Sequence, residues 1–182
     1  MTRREPRAGA AGAPAARVAE LCRGLDAAGI AIWIEGGWGV DALLGAQTRA
    51  HRDLDVVVEE KDLAALRAFL EVRGFADAPQ PDSRPWNFVL ADADGFAIDV
   101  HVIVFDAGGD GIYGPPGNGQ RHPATAFGGR GVIDGTPVRC LSPRFQMANH
   151  AGYALGETDR HDMRLLAERF GLPLPRDAQR PH

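Results

Sequence analysis

His51-Arg52-Asp53-Leu54-Asp55 sets two carboxylates two residues apart at the head of an apolar run, Leu54 to Val58. If that run is a strand, side-chain alternation puts Asp53 and Asp55 on one face while Leu54 and Val56 point into the core. Like charges held so close repel unless a cation lies between them, and oxygen donors suit a hard divalent ion such as Mg²⁺. An isolated Asp-x-Asp is also what an ordinary solvated strand edge presents, so the pair needs a third group. Asp99 offers one. It lies in Ala97-Ile98-Asp99-Val100-His101-Val102-Ile103, where Asp99 and His101 share a face and Ile98, Val100 and Val102 take the other. An aspartate among such neighbours is costly to bury unless charged partners or a metal compensate it. If the two strands are neighbours, three carboxylates converge, an arrangement that can clamp the attacking and leaving oxygens of a phosphoryl or nucleotidyl transfer. Glu35-Gly36-Gly37, ahead of a helix, then brings a bare backbone and helix N–H groups to a triphosphate.

A competing motif overlaps this one. Gly37-Trp38-Gly39-Val40-Asp41-Ala42 fits G-x-G-x-x-A, the dinucleotide fingerprint. In that fold the ribose-binding acid ends the second strand, whereas Asp53 and Asp55 begin theirs, and bulky Trp38 sits between the glycines. No G-x-x-x-x-G-K-[ST] is present, which removes a P-loop.

The elements that must position these residues follow from periodicity. Val18, Leu21, Cys22 and Leu25 recur at helical spacing up to Gly29; Ile30 to Ile34 is a strand; Trp38 to Leu44 a short helix; Leu54 to Val58 a strand; and Leu63, Leu66, Phe69 and Leu70 a helix closed by Gly74. Asn87 to Leu90 and Phe96 to Phe105 are strands around the turn Asp92-Ala93-Asp94-Gly95. Asp106 to Gly131, rich in glycine and proline, predicts a long loop. Asp134-Gly135 marks a hairpin between Val132-Ile133 and Thr136 to Cys140. Ser142-Pro143 starts a helix, and Thr158 is expected to cap the last one. The pattern predicts an α+β chain. It also predicts a disordered N-terminal tail over 1–16, the sheet domain over 17–140, a C-terminal helical region over 141–174 and a tail over 175–182.

Composition narrows the setting. In 182 residues, 20 Lys+Arg against 24 Asp+Glu give a net charge of −4, which disfavours a protein that blankets nucleic-acid phosphates. Cys22 and Cys140 are too few for a disulfide framework and lack the Cys-x-x-Cys spacing of zinc sites, as in a cytoplasmic protein. No run approaches the roughly 20 apolar residues of a membrane span.

Ile34-Glu35-Gly36-Gly37-Trp38-Gly39-Val40-Asp41-Ala42-Leu43, Thr48-Arg49 and His51-Arg52-Asp53-Leu54-Asp55 together resemble the antibiotic nucleotidyltransferases of the polymerase-β-like superfamily. The likeness is greatest to the lincosamide nucleotidyltransferases, continuing through Trp86-Asn87-Phe88-Val89, Ile98-to-Ile103, Gly111-Ile112-Tyr113-Gly114-Pro115, Asn118-Gly119 and His150-Ala151-Gly152-Tyr153. The 2″-aminoglycoside adenylyltransferases are similar mainly in the Trp33-to-Asp55 block. The resemblance implies the polymerase-β-like fold: a mixed sheet flanked by helices, with a small helical C-terminal part. It implies transfer of a nucleoside monophosphate, AMP from ATP or its equivalent from another NTP, to a hydroxyl of a small antibiotic, with Mg²⁺ as cofactor. Asp53, Asp55 and Asp99 would hold the metal, and Asp99 would also take the hydroxyl proton. Gly36, Gly37 and Arg49 would meet the nucleotide's phosphates. His101 and Tyr113 are substrate candidates, His51 a support of the Asp-x-Asp loop, and His150 and Tyr153 outer candidates. Lys61 is the only lysine, so a C-terminal phosphate ligand must be an arginine such as Arg160 or Arg164. The resemblance leaves room for a homodimer. The alternatives are the same chemistry on an aminoglycoside or another small acceptor, or a nucleotide-binding module without turnover.

Overall fold

The computed structural model describes residues 14–115, 117, 119–149 and 155–178. Helix α1 (Ala15–Ala27) buries Val18, Ala19, Leu21, Cys22 and Leu25 along one stripe, as their spacing requires. Strand β1 (Ile32–Glu35) runs straight into α2 (Gly36–Leu44), and β2 (Asp53–Glu59) follows. Then come α3 (Leu63–Glu71), β3 (Ala76–Asp77), β4 (Asn87–Ala91) and β5 (Ala97–Phe105). Strands β6 (Gly111–Tyr113) and β7 (Gln120–His122), a 3-10 turn at Ala124–Gly128 and the hairpin β8 (Gly129–Ile133) and β9 (Thr136–Cys140) lead to α4 (Pro143–Asn149) and α5 (Glu157–Phe170).

The strands form one mixed sheet in the order β3-β4-β5-β2-β1-β9-β8, with β6 pairing to β5 and β7 to β6. β2 lies parallel to β5 and antiparallel to β1. One face of this centre carries Ile32, Ile34, Leu54, Val56, Val58, Ile98, Val100 and Val102, which pack with Leu25, Leu66 and Leu70 from α1 and α3. Each such buried aliphatic side chain contributes roughly 1.5–3 kcal/mol by leaving water. On the other face Val57 and Ile103 close against Phe127, Leu141 and partly buried Trp33. Trp33 also donates its indole N–H to the Phe127 carbonyl at 2.9 Å. That second, smaller core floors one end of the face that bears the acids. A third cluster, Val40 with Met147, Met163 and Leu166, docks α4 and α5 on α2.

The topology disposes of the dinucleotide reading. β1 and β2 flank α2 antiparallel, whereas a Rossmann βαβ unit needs them parallel.

Three expectations require correction. Residues 106–131 are not one long loop: they hold β6, β7, the 3-10 turn and the start of β8. Strands of three residues are too short to show alternation, and their glycines and prolines mask them. The last helix is capped at Gly156, whose N–H donates to Asp159 Oδ2 at 2.7 Å, so Thr158 lies inside the first turn. The helix expected to follow the N-terminal tail already includes Ala15 and Ala16. His150 and Tyr153 lie outside the described residues.

Candidate active site

The strand register assembles the site. Asp55 on β2 is the partner of Asp99 on parallel β5, and on its other side of Glu35 on antiparallel β1. Three carboxyl residues thus stand abreast on strands about 4.8 Å apart. Asp53 sits one alternation earlier, opposite Ala97. Glu35 and Asp99 are buried, at 4% and 6% exposure.

Such crowding perturbs protonation. Burial, and then the charges of Asp53 and Asp99, push the Asp55 carboxyl well above the usual carboxylate range. His101 Nδ1 is bound by Glu35 Oε1, and its Nε2 lies 3.7 Å from Asp99 Oδ1. Burial alone would lower the His101 pKa, but Glu35's charge and hydrogen bond, with Asp99 and Asp55 behind them, lift it to about 9. The Asn149 amide donates to the second Glu35 oxygen at 3.4 Å. Tyr113 packs edge-on to the His101 ring, with centroids 5.5 Å apart.

The glycine pair begins α2 rather than preceding it. Gly36 has φ 61°, and a Cβ there would press into the Asp55 carboxyl group. At Gly37 a Cβ would collide with the Arg49 guanidinium and the His51 ring. The absence of side chains therefore lets three functional candidates approach the first turn of α2.

Arg49 binds Asp162 of α5 through two bonds, Nε to Oδ1 at 2.9 Å and Nη2 to Oδ2 at 2.6 Å. Its guanidinium stands beside Gly37 and is the clasp between this loop and α5. His51 is buried, its ring tilted against Trp38 with centroids 4.5 Å apart, and is bonded through Nε2 to Asp41 Oδ2. Asp41 further accepts from Thr48 N–H at 3.1 Å and Thr48 Oγ1 at 2.6 Å. His51 and Asp41 thus brace the segment leading to Asp53. Arg160 buries an Nε with no hydrogen-bond partner among the described residues, while exposed Lys61 pairs with Glu59.

Sequence reasoning missed two of these partners. Glu35 carried a signal, a charge ending an apolar strand just before two glycines. Asp162 carried none, since its link to Arg49 spans 113 residues.

Among the described residues no three His, Cys, Asp or Glu side chains form a ready-made ligand set for a metal ion. The donor chemistry nonetheless fits a divalent cation of the magnesium type. Mg²⁺ is typically held by one or two carboxylates with the remaining positions taken by water and substrate phosphates. A carboxyl crowded like Asp55's ionises readily only when positive charge arrives beside it.

The family described as aminoglycoside-2″-adenylyltransferase matches residues 17–166. The lincosamide resistance protein of Staphylococcus haemolyticus is 28% identical over 137 residues, which cover 75% of this chain and 84% of that protein. A 2″-aminoglycoside nucleotidyltransferase of Klebsiella pneumoniae is 31% identical over 124 residues, 68% of this chain, and the match spans 64% of that relative's length. The crystal structure of the lincosamide antibiotic adenylyltransferase LnuA with lincomycin bound superimposes with a TM-score of 0.72 at 26% identity, covering 83% of this chain and 94% of that one. No described helix is long and apolar enough to cross a membrane.

Proposed function

The chain belongs to the aminoglycoside-2″-adenylyltransferase family and is a nucleotidyltransferase acting on an antibiotic, and from that premise we propose that it transfers AMP from ATP, with Mg²⁺, to a hydroxyl of a lincosamide. The observation that carries the reading is the register of Asp55 against Asp99 on parallel strands, with Asp53 one alternation away on the same face. Asp53, Asp55 and Asp99 are the residues that would hold Mg²⁺, which when bound stabilises the charge developing on the departing pyrophosphate.

The chain's own groups do the rest. Asp99, buried beside His101, accepts the proton of the acceptor hydroxyl as its oxygen attacks the α-phosphorus; the bond from that phosphorus to the β-phosphate oxygen breaks and pyrophosphate leaves. Glu35 and His101 fix each other, and so keep a cationic ring next to Asp99. Gly36 and Gly37 open the start of α2 to phosphate, where the helix N–H groups favour anions. Arg49 adds positive charge at the same turn. An ATP-consuming enzyme of this kind works in the cytoplasm.

Purified protein incubated with ATP, MgCl₂ and lincomycin should release pyrophosphate and return lincomycin carrying one adenylyl group by mass spectrometry. If nothing in a panel of lincosamides and aminoglycosides is modified, the acceptor assignment fails.

A further inference from the structure

β1 and β9 run parallel but meet at a single register point, Ile34 opposite Cys140. Toward their starts no further pair joins them among the described residues, and the gap between them is a cavity of about 240 Å³. It lies on the face of the sheet away from the acids, among residues of the main core. Cys22, Ile30, Ile32 and Val138 line it and keep 5–8% exposure, whereas Ile34 and Cys140 at the pairing point have none. Gly131 closes one end. A Cβ there would strike the Ala42 backbone of α2, so strand and helix meet with no side chain between them. An apolar cavity of about 150 Å³ takes up benzene, so this one holds a somewhat larger apolar body.

The rim of the cavity is cationic. Arg130 and Arg139 stand directly opposite each other in the β8–β9 ladder, where like charges repel. Arg139 is answered by Asp26 of α1, Nη2 to Oδ1 at 2.6 Å, and both residues line the cavity. Arg130 lines it too, and no carboxylate pairs with it among the described residues. Its Nη1 donates only to the carbonyls of Gly129 and Phe127, at 2.7 and 3.4 Å. Burial raises the Cys140 thiol, and the Arg130 charge is near enough to oppose that rise. Arg23 of α1 adds a third guanidinium at the start of β9, donating to Thr136 Oγ1 at 2.6 Å. Three arginines against Asp26 leave a positive surplus around an apolar hollow. The nucleotidyl transfer proposed for the chain uses none of these groups.

We propose that this cavity is a binding site for a small carboxylic acid with an apolar body, the body filling the space between β1, β9 and α1 and the carboxylate pairing with Arg130. A guanidinium and a carboxylate match as a two-bond fork, and Arg130 keeps its Nε and Nη2 for it. The apolar body gains by leaving water, in proportion to the area it buries. Bound there, the acid also offsets the repulsion between Arg130 and Arg139. An amine of the same shape meets guanidinium groups instead and is rejected. The site is separate from the catalytic acids, since Ile34 and Glu35 are successive residues of β1 and face opposite sides of the sheet.

Phenylpropanoate, phenylpropanol and phenylpropylamine share a body a little larger than benzene and differ in the charge of the head group. Calorimetric titration of the full chain should give the carboxylate a dissociation constant below about 1 mM. The alcohol and the amine should each bind at least about tenfold more weakly, the loss expected without a charge-assisted pair. Arg130→Gln, at an exposed position, should weaken the carboxylate about tenfold and leave the alcohol within about twofold. Cys22→Met fills the hollow with an adaptable side chain, and should abolish binding of the carboxylate and the alcohol while Tm holds or rises. Methyl NMR spectra should place the bound carboxylate's contacts at Ile30, Ile32 and Val138. Undetectable binding of the carboxylate, equal affinity for the three probes, or binding that either variant leaves unchanged overturns the proposal. So does a fall of Tm in Cys22→Met, the result expected if the space is already packed. Shifts confined to the strands around Asp99 would move the acid to the catalytic face and overturn it as well. Binding is read directly, so these outcomes stand whether or not the chain modifies an antibiotic.

Discussion

A methyl group at residue 36 has no room. Gly36→Ala confronts two separable penalties. The first is conformational: φ is 61°, and an L-residue in that region costs roughly 1–2 kcal/mol. The second is steric, because the new Cβ would press on the carboxyl of Asp55, which must then shift from its place beside Asp99. Gly45→Ala isolates the first, since Gly45 has φ 75° and nothing within 4 Å of its would-be Cβ. For a chain of this size 1 kcal/mol corresponds to about 2–4 °C in melting temperature, so Gly45→Ala should lower Tm by about 2–8 °C. Its pyrophosphate release should stay within about twofold of wild type, because only a helix end is strained. Gly36→Ala should lose at least as much stability and also about 100-fold in turnover, the scale on which misplacing a reacting group by an ångström acts. Thermal melts and a coupled pyrophosphate assay on both variants read the two effects. Wild-type turnover in Gly36→Ala, or equal loss of turnover in both, would refute the placement of Asp55 at the reaction centre.

Asp55→Asn and Asp99→Asn should each cut turnover by roughly 10²–10⁴ while leaving a cooperative melt; in metal-free buffer Asp55→Asn should melt no lower than wild type, because burial and its acidic neighbours already disfavour the ionised form. Asp162→Ala strips Arg49 of its bidentate partner; the side chain of Asp162 is 2% exposed but that of Arg49 25%, so the loss should be about 2–3 kcal/mol, below the range for wholly buried pairs, and an unchanged Tm would contradict the clasp. His101 holds its proton up to about 9 in the folded chain against an ordinary 6.5. Its pairing therefore stabilises the fold fully below pH 6.5 and less as pH rises through 9. Urea unfolding between pH 6 and 10 should show that decline, and Glu35→Gln should flatten it. Burial pushes both thiols, Cys22 and Cys140, up to about 12, so a disulfide reagent at pH 8 should label neither until the protein unfolds.

Much of the acid-bearing face was legible because a strand's period is two. Asp53 and Asp55, and likewise Asp99 and His101, had to share faces once their strands were recognised, and one further assumption, that β2 and β5 are neighbours, joined the pairs. Hidden were the links that only the completed topology makes. Glu35 reaches His101 because β1 and β5 flank β2, 66 positions apart in the chain, and nothing local in either segment announces the pairing. The small cleft lined by Glu35, His101, Tyr113 and His122 was obscured for another reason. Its walls are β6 and β7, strands of three residues each inside a glycine- and proline-rich stretch, where neither alternation nor propensity has enough residues to speak. Arg49 shows how one side chain can meet two demands: its position beside the glycine turn could be anticipated, its bond to Asp162 could not.

Lys61 sits two residues past the end of β2, exposed and held by Glu59. It is the sole lysine, and the other fixed side-chain cations are guanidinium groups. Acylating reagents accordingly have a single side-chain target. It lies six residues from Asp55, four along β2 and two in the 3-10 turn Glu60–Asp62 that follows, so less than about 20 Å away at 3.3 Å per residue. A dye attached there would sit within energy-transfer range of a fluorescent ATP analogue and outside bonding reach of the reacting atoms, so nucleotide arrival could be followed without an engineered cysteine.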